Sequence, residues 1–162
     1  GWLMKLAFIV DPLDEFKIYK DTSFAMMREA HARGCELYTL QQEDIYWRKE
    51  RVAGNAARLH LTGDPHAWYR SDAAVETDLA AFDAVIMRKD PPFDMEYVYS
   101  TYLLEAAEAQ GARVFNRPRA IRDHNEKLDE SESAISHIYL AGNAGIPIFP
   151  AKATPCRGAS AR

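Results

Sequence analysis

The sequence lacks the features that mark membrane, secreted and metal-binding proteins. No apolar run approaches the roughly 20 residues that span a bilayer, and the N-terminus lacks the basic, apolar and small-residue regions of a signal peptide. The two cysteines, Cys35 and Cys156, and the five histidines stand in no zinc-ligand or Cys-x-x-Cys spacing, so neither a metal site nor a disulfide framework is predicted. A net charge of -4 disfavours a nucleic-acid partner. We therefore expect a cytoplasmic protein with no membrane or nucleic-acid partner.

Phosphate-binding loops of the common kinds are absent as well. No Gly-x-Gly-x-x-Gly and no P-loop lysine follows the first strand-like segment, so the usual dinucleotide and P-loop modes are not supported. What is present is an ordinary globular composition, with 48% hydrophobic and 27% charged residues. A chain of 162 residues should form one domain that buries roughly two thirds of its unfolded surface.

Four short apolar segments alternate with two helical patterns. The predicted strands cover residues 5–10, 35–40, 82–87 and 112–115, and the predicted helices cover residues 22–33 and 95–110. A strand, helix, strand order that occurs twice implies right-handed crossovers and a mostly parallel sheet of the α/β class. The first and third strands should then be neighbours at the centre of the sheet.

The second helix has the clearest apolar period in the chain. An amphipathic helix turns its apolar stripe toward the core. The stripe predicted here consists of Met95, Val98, Tyr102, Ala106 and Ala109.

The polar stretch from Gln41 to Asp78 is interpreted as a small β excursion, or flap, between the second and third strands. Turn signals at Gly54-Asn55 and Gly63-Asp64-Pro65 separate its short alternating pieces. Trp47 and Trp68 within it are predicted to pack, since few basic residues flank them as they would in a nucleic-acid stacking platform.

Charged residues appear abruptly where the third strand ends, in the segment from Met87 to Asp94. In open α/β sheets ligands bind at the carboxyl ends of the strands, and the two prolines should stiffen the loop that holds Arg88 and Asp90. Asp11 follows the first strand and should face the same crevice. The first helix begins there near Ser23, and its free amides favour a carboxylate. These features predict a site for an anionic or amino-acid-like ligand.

Each of these residues also has a purely structural interpretation, and composition alone does not decide between the two. Asp11 before Pro12 can simply shape a turn, Arg88 can form an ordinary surface ion pair with a neighbouring carboxylate, and Ser23 can serve only to start a helix. The convergence of the residues at one edge is what favours a site.

Four blocks of sequence resemble those of bacterial glutathione synthetase, in the same order and with comparable spacing. The most specific is Arg-Lys-Asp-Pro-Pro-Phe-Asp at residues 88–94; the others lie at residues 4–12, 20–26 and 125–128. The resemblance covers about Met4 to Leu128 and corresponds to the family's amino-terminal domain, up to the hinge into the ATP-grasp domain. It implies a Rossmann-like, pre-ATP-grasp parallel sheet flanked by helices.

The resemblance also implies an activity. Members of the family join γ-glutamylcysteine to glycine with ATP and magnesium, through an acyl phosphate that the glycine amine attacks. Asp11, Ser23, Arg88 and Asp90 would then bind the dipeptide by position and charge, and Lys127 would approach the nucleotide at the domain junction, unless it is a solvated hinge lysine. The resemblance assigns no catalytic residue and no metal ligand to this sequence.

Beyond residue 128 the sequence departs from the family. Residues 1–128 are expected to form the substrate domain and residues 129–162 an atypical segment that is partly disordered. A shifted reading frame, an aberrant end, a fragment and a natural short product all stay open as its origin. Without the family's glycine-rich loop and magnesium ligands, we expect this chain alone to bind neither ATP nor magnesium tightly and to be inactive.

One alternative of a different class stays open at this stage. The chain can be a non-catalytic α/β module that binds a small anion or serves in the assembly of a homo-oligomer, because the family commonly associates through this domain.

Overall fold

The computed structural model describes residues 3–90 and 92–116. The strands are β1 (Lys5–Ile9), β2 (Glu36–Leu40), β3 (Ile45–Arg48), β4 (Arg51–Leu61), β5 (Tyr69–Ser71), β6 (Val75–Asp78), β7 (Ala84–Met87) and β8 (Val114–Asn116). The helices are α1 (Thr22–Ala32) and α2 (Met95–Ala109), and short 3-10 turns cover Leu13–Glu15, Gln42–Asp44 and Leu79–Ala81.

The eight strands form one mixed sheet in the order β3-β4-β2-β1-β7-β8, with β5 and β6 also paired to β4. The β1–β2, β1–β7 and β7–β8 pairs are parallel, and every pair that involves β4 is antiparallel. The predicted α/β class, the parallel pairs and the central position of the first and third predicted strands are therefore confirmed.

Both helices begin and end where the sequence indicates. The side chains of Asp21 and Asp94 cap them, accepting hydrogen bonds from the backbone N–H of Phe24 at 3.1 Å and of Tyr97 at 3.0 Å. Gly34 has a φ of 83° just beyond α1, a left-handed conformation that favours glycine and stops a helix. The observed bounds differ from the predicted ones by a single residue at each carboxyl end.

The core consists of two apolar clusters, one on each face of the sheet. Leu6 and Phe8 of β1 point to the α1 face with Met27, whereas Ala7 and Ile9 point to the α2 face. This alternation is expected of a central strand that is covered on both sides. Each large apolar side chain that is fully buried stabilises the fold by about 1.5–3 kcal/mol.

The prediction that the apolar stripe of α2 faces the core is wrong for Met95, Val98 and Tyr102, which are exposed, whereas Ala106 packs against the core. The side chains that cover the sheet are those of Ser100, Leu103, Leu104 and Ala107. Tyr102, a member of the predicted stripe, is 64% exposed. The helix carries apolar residues on two faces, and periodicity alone does not tell which face meets the sheet.

The excursion between β2 and β7 is part of the main sheet. β4 pairs with β2 and extends the sheet on that side, and Gly54, predicted to mark a turn, lies inside β4 opposite Ile45. The chain reverses instead at Lys49, whose φ of 57° makes it the only non-glycine residue with positive φ in the described ranges. The turn predicted at Gly63 is confirmed by its φ of 84°.

The expectations for the two tryptophans and for Cys35 have clear outcomes. Trp68 packs between Phe16 and Phe24 as predicted, but Trp47 is 48% exposed, so the packing predicted for it is wrong. Cys35 is buried and disulfide-bonded, contrary to the expectation of no disulfide, and its partner lies outside the described residues. The described helices include none that is long and apolar enough to cross a membrane.

The predicted domain boundary at residue 128 and the predicted segment 129–162 lie outside the described residues.

Candidate functional site

The carboxyl ends of β1 and β7 lie side by side and bring the predicted site residues to one edge of the sheet. Ile9 pairs with Met87 in the parallel register, and the backbone N–H of Arg88 donates to the Ile9 carbonyl at 2.8 Å. Asp11 therefore leaves the sheet next to the loop that begins at Arg88.

Asp11 holds that loop with both of its carboxylate oxygens. Oδ2 accepts the backbone N–H of Asp90 at 3.0 Å, and Oδ1 lies 2.8 Å from Nζ of Lys89. Lys89 Nζ also donates to the Asp90 carbonyl at 2.8 Å. The hydrogen bond to Asp11 raises the pKa of Lys89 and outweighs the opposite effect of burial. The ion pair thus fixes the loop, and Lys89 is a site residue that sequence reasoning did not single out.

Arg88 points to the other face of the sheet, toward the beginning of α1. Its side chain is buried, with 4% of the residue exposed, so the alternative of an ordinary surface ion pair is wrong. Nε donates to Oγ of Ser23 at 3.0 Å, and Nη2 donates to the Thr22 hydroxyl. The structure thus brings Arg88 and Ser23 together, as predicted, and adds Thr22. The Asp21-Thr22-Ser23 run that marks the helix start was the signal for that contact.

The position of Arg88 has an electrostatic consequence. A helix carries a partial positive charge at its amino end, where the first backbone N–H groups have no partner within the helix. The guanidinium of Arg88 lies against that end of α1 through its bonds to Ser23 and Thr22. Two positive groups at one place favour an anion beside them, and a carboxylate suits the forked donors of an arginine.

A cleft of about 330 Å³ opens next to Asp11 at the same edge of the sheet. Its floor is formed by residues that end β1 and β2, including Thr39. Its far wall comes from the excursion, through Asn55 of β4 and Tyr69 of β5. The excursion therefore forms one side of the cleft. The sequence did not predict this position of the excursion. Arg88 and Ser23 are not among the lining residues, so the site has two adjoining parts that meet at the end of β1.

Tyr69 and Asp14 form a second polar pair at the wall of the cleft. The Tyr69 hydroxyl donates to Oδ1 of Asp14 at 2.6 Å, and this bond raises the pKa of the Tyr69 phenol. The pair connects the excursion to the segment that follows β1. Neither residue was predicted to belong to the site, because their contact joins positions far apart in the chain.

Two further predictions concern cofactors. Within residues 3–90 and 92–116, no group of three His, Cys, Asp or Glu side chains is placed to hold a metal ion. Lys127, the residue predicted to approach a nucleotide, lies outside the described residues.

A comparison with protein-family models finds a match that covers most of the described chain. Residues 4–122 match the family described as "Prokaryotic glutathione synthetase, N-terminal domain". The matched range contains Asp11, Ser23, Arg88 and Asp90, and it agrees with the resemblance found from the sequence blocks.

Curated relatives give the same result at high identity. The chain is 61% identical over 132 residues to a glutathione synthetase of Nitrosomonas europaea, covering 80% of this chain and 41% of that protein. It is 63% identical over 125 residues to one of Ralstonia nicotianae, with 77% and 39% covered. A glutathione synthetase of Neisseria meningitidis is 50% identical over 130 residues, with 78% and 41% covered. The chain thus spans about two fifths of the length of these relatives.

Proposed function

Because this chain belongs to the family of prokaryotic glutathione synthetases and matches their N-terminal domain, we propose that it is the substrate-side domain of an ATP-dependent ligase. The ligase joins γ-glutamylcysteine to glycine and forms glutathione. The observation that carries this proposal is the meeting of Asp11 with the Arg88–Asp90 loop at the carboxyl edge of the sheet, inside a sequence range that matches the family. We place the enzyme in the cytoplasm.

In this proposal a carboxylate of the dipeptide binds to Arg88, Ser23 and the amino end of α1. The support is the burial of Arg88 and its bonds to the two hydroxyls, which fix the guanidinium before a ligand arrives. A donor group that is already oriented loses little entropy on binding.

Asp11 and Asp90 have a different role in the proposal, because both lie where the cleft meets the loop. Asp11 keeps the loop in place through Lys89 and the Asp90 amide, and the carboxylates complement the amine of a zwitterionic ligand. These residues position the substrate and are not assigned any bond-making step. Positioning of this kind contributes to a ligase mainly by holding the reacting groups at a productive distance.

ATP and magnesium belong to the whole ligase in this proposal. ATP would supply the phosphoryl group that activates the dipeptide carboxylate, and magnesium would neutralise charge on the phosphates. The described residues include no cluster that fits a metal ion, so we assign no magnesium ligand to them. Lys127 is proposed as a nucleotide contact on the strength of the sequence block alone.

Calorimetric titration of γ-glutamylcysteine into the purified chain tests the carboxylate site. We expect the unmodified chain to bind the dipeptide, Arg88→Ala to abolish the heat, and Arg88→Lys to weaken the affinity at least tenfold, since lysine lacks the forked donors. Arg51→Ala is the matched control, because Arg51 is an exposed arginine that pairs with Asp78 on the far side of the sheet. Ser23→Ala should weaken binding less than either change at Arg88.

Folding of the variants is followed by circular dichroism, since Arg88 is buried. If the unmodified chain gives no heat with the dipeptide, the proposed role of this domain is wrong. If Arg88→Lys binds as the unmodified chain does, Arg88 is not the ligand residue. The non-catalytic alternative predicts no heat with dipeptide in any variant.

A further inference from the structure

A second open space lies along α1, between that helix and the turn that joins β4 to β5. Its volume is about 440 Å³, and it shares no lining residue with the 330 Å³ cleft described above. Phe24, Arg28 and His31 line it from the helix, at the i, i+4, i+7 spacing of one stripe. Leu61 of β4 and Trp68 line it from the other side. We call this space the α1 groove.

The α1 groove is mainly apolar and partly aromatic. Ile18 and Leu61 contribute aliphatic side chains to its lining. Phe24 and Trp68 contribute two rings, whose centroids lie 5.1 Å apart at an interplanar angle of 85°. Aromatic groups pack well in edge-to-face and offset-stacked arrangements, so a ring beside this pair has favourable contacts with either member. The lining therefore suits a ligand that carries an aromatic ring.

The turn on one side of the α1 groove is held by its own hydrogen bonds. The Thr62 hydroxyl donates to the Ala67 carbonyl at 2.6 Å and accepts the backbone N–H of Asp64 at 3.1 Å. Oδ1 of Asp64 accepts the backbone N–H of His66 at 2.9 Å. The backbone N–H of Thr62 donates to the Trp68 carbonyl at 3.0 Å. The groove is thus formed before a ligand arrives, which lowers the entropic cost of binding.

The charged residues that line the groove favour an anion. Arg28 and His31 are both exposed on α1. Among residues 3–90 and 92–116, no carboxylate forms an ion pair with Arg28. The guanidinium carbon of Arg28 lies 5.7 Å from the centroid of the Phe24 ring, so the cation borders the apolar surface. Asp64 is the acidic residue of the lining, and one of its oxygens is already hydrogen-bonded within the turn.

We propose that the α1 groove binds a small aromatic carboxylate. The ring of the ligand packs against Phe24, Leu61 and Trp68, and its carboxylate pairs with the forked donors of Arg28. Small-molecule sites commonly have volumes of roughly 300–1,000 Å³, apolar walls and a few charged groups that fix the orientation of the ligand. The inference does not depend on the proposed ligase activity, because it uses neither Asp11 nor Arg88.

Two matched probes test the role of charge. Naphthalene-1-carboxylate carries the proposed ring and anion, and naphthalene-1-methanol has the same ring without the charge. NMR titration of the intact chain, labelled at its isoleucine and leucine methyl groups, measures both affinities. The carboxylate should bind about tenfold more tightly than the alcohol, because a charged acceptor strengthens the bonds from an arginine.

Arg28→Gln separates the charge from the shape of the groove. It should weaken binding of the carboxylate about tenfold and leave the alcohol unchanged, because only the carboxylate uses the guanidinium. Arg48→Gln is the matched control, since Arg48 is an arginine of β3 that pairs with Glu76 and Asp78. This control should change neither affinity. Equal weakening of both probes by Arg28→Gln, or no change in either, overturns the proposal.

The position of the bound probe is measured separately. Nuclear Overhauser effects between the ring protons of naphthalene-1-carboxylate and the methyl groups of Ile18 and Leu61 should place the ring in the α1 groove. Contacts only with methyl groups elsewhere, or no binding up to the solubility limit of the carboxylate, contradict the proposal.

Two other occupants of the α1 groove have their own signatures in the same spectra. If the Leu61 methyl groups contact protons of residues beyond 116 when no probe is present, the chain itself fills the groove. If the Leu61 signals shift with protein concentration, a second copy of the chain fills it. Either result overturns the proposal of a small-molecule site.

Discussion

Both carboxylate oxygens of Asp11 are engaged in holding the loop after β7, one by Lys89 and one by the Asp90 amide. The turn-shaping interpretation of Asp11 and the ligand-site interpretation are therefore compatible. A residue that fixes a loop at the carboxyl end of a parallel strand also fixes whatever that loop presents to a ligand. The same holds for Asp14, which fixes Tyr69 at the wall of the cleft.

These two pairs predict a reciprocal pattern of pKa changes. Asp11→Asn should lower the pKa of Lys89 toward its ordinary value of 10.5 and leave Tyr69 unchanged, because the hydrogen bond to Asp11 is what raises it. Asp14→Asn should lower the pKa of Tyr69 and leave Lys89 unchanged. NMR titration of the lysine and tyrosine side chains measures both, and each variant is the control for the other.

The pKa shift of Lys89 has a consequence for stability. A pKa that is higher in the folded state than in the unfolded state stabilises the fold while the pH is below the unfolded value. That contribution is lost as the pH rises through the folded pKa, above about 10.5. Alkaline unfolding of Asp11→Asn should therefore lack this loss, and an identical alkaline profile in the unmodified chain would contradict the ion pair.

At the scale of the single residue, the sequence predicted where the candidate site residues lie better than it predicted their contacts. The positions of Asp11, Arg88 and Asp90 at one edge follow from strand order and chain connectivity, which local patterns predict. The burial of Arg88 against Thr22 and Ser23 does not, because it depends on which face of β7 the side chain occupies. The face to which the Arg88 side chain points depends on the residue at which β7 ends, because successive side chains of a strand point to opposite faces.

At the scale of the element, the features that depend on neighbouring residues were predicted, and the features that depend on residues far apart in the chain were not. The bounds of α1 and α2 follow from caps and glycines, which act within a few residues. The pairing of β4 with β2 joins residues 18 or more positions apart, as in the Thr39–Ala57 pair, and no local signal encodes it. Gly54 illustrates the point, since a glycine can mark a turn or, as here, a close approach within a strand.

Besides the pairing of β4 with β2, one tryptophan packs the excursion against the rest of the domain. Trp68 is 9% exposed and contacts Phe16, Phe24 and Tyr69 with ring centroids 4.7–5.5 Å apart. Trp68→Ala should lower the free energy of unfolding by about 3–5 kcal/mol, the usual cost of an aromatic cavity. Urea unfolding followed by circular dichroism measures the change.

Trp47→Ala is the matched control for this prediction. Trp47 is the other tryptophan of the excursion and lies on strand β3, but 48% of it is exposed. Its removal should cost less than about 1 kcal/mol, because most surface substitutions have small effects. Equal losses in the two variants would show that Trp68 does not hold the excursion.

At the scale of the whole molecule, the chain spans 41% of its Nitrosomonas europaea relative. We expect the purified chain to release no phosphate above background when it is given ATP, magnesium, glycine and γ-glutamylcysteine, because the sequence beyond residue 128 does not resemble the glycine-rich loop and magnesium-ligand segments of the family. A colorimetric phosphate assay measures this, with the Nitrosomonas europaea glutathione synthetase as the positive control. Turnover by the chain alone would mean that residues assigned here only to positioning take part in the reaction.

Strand β4 has 11 residues and pairs with four other strands, β2, β3, β5 and β6. It therefore joins the parallel centre of the domain to every strand of the excursion, and the two cannot separate without breaking the same ladder of hydrogen bonds. Distortion of the hairpin at residues 48–51 would be transmitted along β4 to Asn55, which lies on that strand and lines the cleft. A substitution in the outer hairpin that disturbs β4 should therefore also disturb the wall of the cleft.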